Sequence, residues 1–187
     1  MASHIAARCA ALSARLGTDW RLCLAALFLL IAPQAAAQSP APRGLSTVAG
    51  APPAPEIALS DVDGKPVRLS ELRGRVVLVN FWATWCPPCR KEIPSLTRLQ
   101  RMFKPEQLRV LAVNVGEDEE TVFSFVPDPG FTILLDLKSA SLRAWQVRSL
   151  PATFVVDPEG RIVLRAVGGR EFDDPAILAQ LRELVRP

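Results

Sequence analysis

The chain has 187 residues, 49% of them hydrophobic and 22% charged, with 22 basic against 19 acidic side chains. This composition fits one globular domain with appended segments and excludes a disordered acidic chain, a collagen-like repeat and a polytopic membrane protein. Reactive side chains are scarce: the cysteines are Cys9, Cys23, Cys86 and Cys89, and His4 is the single histidine.

Arg8, Arg15 and Arg21 precede an apolar run from Leu22 to Ala32, followed by Pro33-Gln34 and Ala35-Ala36-Ala37. A basic start, a short apolar stretch and a small-residue site predict a secretory signal over residues 1–37. An uncleaved membrane tether is the alternative, but a spanning helix needs about 20 apolar residues. Cys23 lies too early in the run for lipid attachment. With the signal go three arginines, one aspartate, His4, Cys9 and Cys23, leaving 19 basic and 18 acidic residues and a net charge of +1. A near-neutral domain has no electrostatic footprint for nucleic acid or anionic membrane. Its two cysteines, Cys86 and Cys89, would meet an oxidising compartment, with the periplasm the expected location. Without histidine, Ser-His, Cys-His and histidine-ligated zinc or haem chemistry all fail on inventory.

Residues 38–55, rich in Pro, Ala, Gly and Ser, predict a flexible linker ahead of a domain over 56–187. Ile57-Ala58-Leu59 and Val67-Arg68-Leu69 flank Asp63-Gly64, a hairpin signal. Val76 to Phe81 is an apolar run suited to a strand buried on both faces. Cys86 to about Phe103 predicts a helix, with Ile93, Leu96, Leu99, Gln100 and Phe103 on one face. Arg109–Val115 reads as a second buried strand, and Glu119–Val126 as a short helix halted by Pro127. A strand over Thr132–Leu135 and a helical turn around Ser141–Trp145 follow. Strands Thr153–Val156 and Arg161–Val167 then flank a turn at Asp157-Pro158-Glu159-Gly160. Asp173 or Asp174 caps a last helix that buries Ile177, Leu178, Leu181 and Leu184. The order of elements predicts an α/β domain with parallel central strands.

The chemistry concentrates in Phe81-Trp82-Ala83-Thr84-Trp85-Cys86-Pro87-Pro88-Cys89-Arg90-Lys91-Glu92. Two cysteines three apart, where a strand gives way to a helix, can close a small disulfide across the first turn. Cys86 at the helix N-terminus meets free N–H groups and the positive dipole end, which stabilise a thiolate. It is therefore the expected exposed nucleophile, with Cys89 one turn inside as the resolving thiol. An inert stabilising bridge gains little from so short a loop, and a metal site would need a second pair of ligands. Neither a metal nor a cofactor is expected. Pro87 and Pro88 have no N–H to give a Cys86 thiolate. Losing one charge-assisted bond, worth ~1.5–3 kcal/mol, shifts a two-electron couple by at most ~30–65 mV toward a stronger reductant.

The motif at 81–92, with Ser149-Leu150-Pro151-Ala152-Thr153-Phe154 and the residues after it to Gly160, resembles the thioredoxin superfamily. Within it the match is to the TlpA-like branch of ResA- and CcmG-type proteins, over about residues 57–185. The resemblance implies a thioredoxin-like fold with an added N-terminal hairpin and a central insertion, the latter at 117–147. It implies an exported thiol–disulfide oxidoreductase, generally a reductase, re-reduced by a membrane donor of the DsbD or CcdA type. It makes Pro151 a cis-proline facing the dithiol and Leu150 a supplier of backbone groups to an extended substrate, beside Trp85, Pro87 and Pro88. Thioredoxin's buried strand aspartate is replaced here by Asn80. Spacing leaves Glu92 open as a proton acceptor or a surface residue favoured by the dipole; the resemblance assigns it proton transfer at Cys89. Pro94 matches a helix-kinking proline.

The resulting expectation is a monomeric reductase of disulfide-bearing exported proteins, apocytochrome c or a metal-site assembly protein among the candidates. A disulfide oxidase using the same residues and a Cu(I)-binding chaperone are the alternatives, and a peroxidase lacks any separate peroxide site. Glu117-Asp118-Glu119-Glu120 reads as a solvated helix start rather than a metal site. Trp82 and Trp85 are expected around the site and Trp145 in the core.

Overall fold

The computed structural model describes residues 44–185. The signal or tether read at 1–37 lies outside them. One eight-stranded mixed sheet organises the domain, in the order β1-β8-β7-β4-β5-β6-β2-β3. Its strands are β1 (Ser46–Thr47), β2 (Ala58–Asp61), β3 (Pro66–Arg68), β4 (Val76–Trp82), β5 (Leu108–Val115), β6 (Thr132–Asp136), β7 (Ala152–Val156) and β8 (Ile162–Val167). Four helices accompany them: α1 (Pro87–Met102), α2 (Glu119–Phe125), α3 (Ala140–Ala144) and α4 (Pro175–Val185), with a 3-10 turn at Leu69–Leu72. No helix among the described residues is long and apolar enough to cross a membrane.

The central strands β4, β5 and β6 are parallel, as expected; β7 and β8 run antiparallel to complete one side. Every residue of β4 is buried: α1 lies over the face of Asn80, and Trp145 and Phe154 pack around Phe81 on the other. The β2–β3 hairpin turns at Gly64, whose φ of 77° suits a residue without Cβ. It docks antiparallel on β6 through Ser60 and Asp61.

The linker expected over 38–55 ends sooner. From Gly44 onward the chain is packed: β1 pairs with β8, Pro53 bridges Arg161, and Leu45 is buried. Gln180 of α4 ties this strap down, its Oε1 accepting from the Leu45 N–H at 2.8 Å and its Nε2 donating to the Leu45 carbonyl at 2.9 Å. Composition suggested a tether, but an unpaired sheet edge at β8 and one glutamine recruit it.

The two sheet faces separate by alternation. Asn80 points toward α1, whereas Phe81 points the other way and joins Trp145 and Phe154 at ring distances of 5.6 and 6.0 Å. Trp145 is thus a core residue, as expected. On the first face Ile93, Leu96 and Leu99 of α1 are buried, each worth roughly 1.5–3 kcal/mol relative to exposure. Pro87 and Pro88 occupy the first turn, where a helix has no use for their missing N–H. Pro94 sits inside α1 and leaves the Arg90 carbonyl without its helical donor.

Candidate active site

Cys86 is the N-cap of α1, placed where the buried β4 delivers the chain to the sheet's carboxyl end. Its sulfur is bonded to that of Cys89 at 2.07 Å. The Cys86 side chain is not the exposed group expected: the residue keeps 4% of its surface, and Cys89 none. What remains accessible opens into a groove of about 690 Å³, lined on one side by Trp85, Cys86, Pro87 and Pro88 and on the other by Val147, Arg148, Ser149 and Leu150. Trp85 is 66% exposed at its rim, whereas Trp82 is wholly buried against Phe125. The Leu150–Pro151 peptide is cis. Pro151 itself is buried rather than lining the groove, and its carbonyl accepts from the Gly168 N–H at 2.9 Å.

Glu92 is no surface residue. It lies one turn beyond Cys89 on α1 with 1% of its surface exposed. Oε1 accepts from Asn80 Nδ2 at 2.7 Å, and Oε2 from the Arg170 N–H at 3.2 Å. Burial pushes its carboxyl from 4.5 up to about 7, with the bonds from Asn80 and Arg170 pulling back only in part. The β8–α4 loop carrying Arg170 is held close. Ser95 Oγ accepts from the Phe172 N–H at 3.0 Å. A Cβ on Gly169 would stand 3.3 Å from the Pro88 carbonyl oxygen, so only a glycine lets the loop lie this near the motif without displacement.

Glu117 also departs from the sequence reading. Instead of facing solvent, its carboxylate accepts from the Thr84 N–H at 2.8 Å, from Thr84 Oγ1, and from Asn114 Nδ2 at 2.7 Å. It ties the turn before Cys86 to the end of β5. Asp118, at the solvated helix start that was expected, caps α2 by accepting from the Thr121 N–H at 2.9 Å. Sequence reasoning also missed Arg148, which stands three residues before Pro151 and just ahead of the stretch singled out from Ser149. Among the described residues no cluster of three or more metal-ligating side chains occurs.

Residues 51–165 match the AhpC/TSA family. The chain belongs to that family. It is 39% identical over 127 residues to the thiol-disulfide oxidoreductase ResA of Bacillus subtilis, covering 67% of this chain and 71% of that protein. Among solved structures, a thiol:disulfide interchange protein of the thioredoxin family from Chlorobium tepidum superposes with a TM-score of 0.64 at 28% identity, over 74% of this chain and 99% of the other. The pneumococcal exposed lipoprotein thioredoxin Etrx1 from Streptococcus pneumoniae gives 0.61 at 30%, over 70% and 100%. The fold is thioredoxin-like, and with the Cys86–Cys89 pair in place this AhpC/TSA member is an enzyme of thiol–disulfide exchange.

Proposed function

We propose that the enzyme is exported and works as a reductase of protein disulfides. The observation that carries the reading is the Cys86–Cys89 bridge at the N-cap of α1, with a carboxyl buried one turn further on. In the dithiol form, the Cys86 thiolate attacks one sulfur of a substrate disulfide bound over the groove. A Cys86–substrate disulfide forms, and the first substrate thiolate leaves and takes up a proton. The Cys89 thiol passes its proton to the Glu92 carboxylate and attacks the Cys86 sulfur. The second substrate thiolate is released, and two electrons have moved from the enzyme to the substrate. A carboxyl titrating near 7 suits this exchange at neutral pH.

Direction rests on Pro87 and Pro88, which withhold two N–H donors from a Cys86 thiolate at the helix start. A poorly stabilised thiolate favours the disulfide, and so makes the dithiol the donor. Export is supported by the signal-like residues 1–37 and by likeness to a protein described as an exposed lipoprotein. The periplasm is then its compartment, a membrane donor of the DsbD or CcdA type its source of electrons, and a cysteine-bearing exported protein its substrate. Redox titration against glutathione tests the direction. The expected potential lies nearer thioredoxin's, about −270 mV, than that of the oxidant DsbA, about −120 mV. A value at the oxidising end would reverse the assignment.

A further inference from the structure

A second groove, of about 600 Å³, opens on the far side of the segment that walls the active-site groove; the two share Val147, Arg148 and Ser149. Its floor is Phe154 and Trp145, its outer wall the strap residues Val48 and Pro53, and its open edge Val167, which is 57% exposed. Arg165 stands in this groove and Arg148 on the shared wall; both are exposed. Neither takes part in any ion pair among the described residues. The shared wall is neither helix nor strand: it follows a turn at Gln146, whose φ is 53°, and bends at Ser149 and Leu150. The N–H groups of Arg148, Ser149 and Leu150 donate to no backbone or side-chain partner among the described residues, which leaves them available to the carbonyl groups of a chain laid across the wall.

We propose that the substrate-binding surface continues from Cys86 across Arg148 into this second groove. Its occupant is an extended arm of the disulfide-bearing substrate, with apolar side chains followed by a carboxylate. The inference rests on the reductase reading. Two observations select the occupant. The groove adjoins the one over the reactive sulfur, the two sharing Val147, Arg148 and Ser149 as their common wall, so one polypeptide crossing that segment can reach both. Its apolar floor also ends at two cations with no ion-pair partner among the described residues, which an acidic group complements. A lone small disulfide would use the first groove only. A polypeptide reaching further gains the apolar floor and the two guanidinium groups, and is discriminated by what lies beyond its disulfide.

The test is single-turnover oxidation of the reduced full chain by synthetic disulfide peptides. A short peptide ends just past its disulfide. Long ones add an apolar arm closed by glutamates or by lysines, on either the amino or the carboxyl side. The glutamate arm is expected to react on the order of tenfold faster than the lysine arm at low salt, with the gap closing as salt rises. Arg165→Glu should invert that preference, Arg165→Lys keep it, and Val167→Asp abolish the gain from the arm. The short peptide's rate should be the same in all three. Equal rates for the two arms, or a preference for glutamate surviving Arg165→Glu, would overturn the extended surface while leaving the reductase intact. Failure of even the short peptide to oxidise the dithiol would overturn the reductase reading, and the proposal with it.

Discussion

Asn80 Nδ2 donates to Glu92 Oε1 at 2.7 Å, joining the middle of the sheet to the helix that carries the cysteines. The same amide donates to Thr153 Oγ1 at 2.9 Å, so both of its hydrogens are committed. Asn80 can hold the Glu92 carboxyl in place but cannot accept its proton as an acid–base group. The one strongly raised carboxyl near the disulfide therefore sits on α1, on the side of Cys89 away from the groove.

That carboxyl sets a pH dependence of stability whose sign is opposite to the usual one for acids. Unfolded, Glu92 loses its proton near 4.5; folded, it keeps it to about 7. Between these values the native state binds the extra proton, so stability falls as pH rises through the window and levels off above it. The shift corresponds to roughly 3 kcal/mol. No histidine lies among the described residues to blur the interval. Urea unfolding of the oxidised protein at pH 5, 6, 7 and 8 should show the decline, and Glu92→Gln should flatten it. A wild type equally stable at pH 5 and 8 would mean that the carboxyl titrates normally.

The same residue should govern one kinetic step and not the other. Cys89→Ser is expected to halt the reaction at the Cys86 mixed disulfide, which non-reducing gels and mass spectrometry would detect. Glu92→Gln should leave the attack by Cys86 within about twofold but slow resolution by 10²- to 10⁴-fold at neutral pH, the usual range for loss of a general base. The intermediate would then accumulate transiently. Resolution at the wild-type rate across pH 5–8 would remove Glu92 from proton transfer.

The features legible in the sequence are those written in local pattern. The unbroken apolar run of β4, the three-and-four spacing of Ile93, Leu96 and Leu99, and the cysteines at the junction need no tertiary information. What was missed depends on distant partners. Ser46-Thr47 has no alternation to mark a strand, and its place is set by β8 and Gln180. Glu117 looks like an acid at a helix start, where solvent is the normal neighbour, but Thr84 and Asn114 recruit it from separate segments. Glu92 was singled out only through the resemblance, because its enclosure by Asn80 and the Arg170 loop is invisible in local spacing. Cys86 was expected exposed because a nucleophile needs access, but Trp85 and the prolines leave it only a narrow opening.

Glu117 offers a test of how firmly the turn before Cys86 must be held. Glu117→Ala leaves the Thr84 N–H and the buried Asn114 amide without their acceptor, and charge-assisted bonds of this kind contribute about 1.5–3 kcal/mol each. Thr84 can recover water, so the expected loss of stability is about 2–4 kcal/mol in urea unfolding. The turn should also loosen enough to slow attack by Cys86, even well below the unfolding midpoint. Glu117→Gln, which keeps an acceptor for Thr84, should recover most of the rate. Equal rates in wild type and Glu117→Ala would show that the helix N-cap alone positions the sulfur.

Gln100 holds the other end of β5. Along its outer edge β5 pairs with β6 only from Leu111 onward, so its first residues have no strand beside them. Gln100, buried on α1, stands in for that strand: its Nε2 donates to the Leu108 carbonyl at 3.0 Å and its Oε1 accepts from the Val110 N–H at 2.8 Å. A side-chain amide carries its donor and its acceptor on separate atoms, as a peptide group does, and so can satisfy a peptide N–H and a peptide C=O together. Gln100→Ala strands both backbone groups in a dry site, at about 1–3 kcal/mol for each group left unpaired. Gln100→Glu keeps the acceptor but loses the donor and buries a charge. Both variants should lower the urea midpoint, Gln100→Glu losing more at pH 8 than at pH 5 because its carboxyl must ionise in an apolar site. Hydrogen exchange at the Val110 amide should accelerate in Gln100→Ala by more than the global loss of stability accounts for, since that bond opens locally. A Val110 amide as protected in Gln100→Ala as in wild type would mean that another partner closes the strand edge.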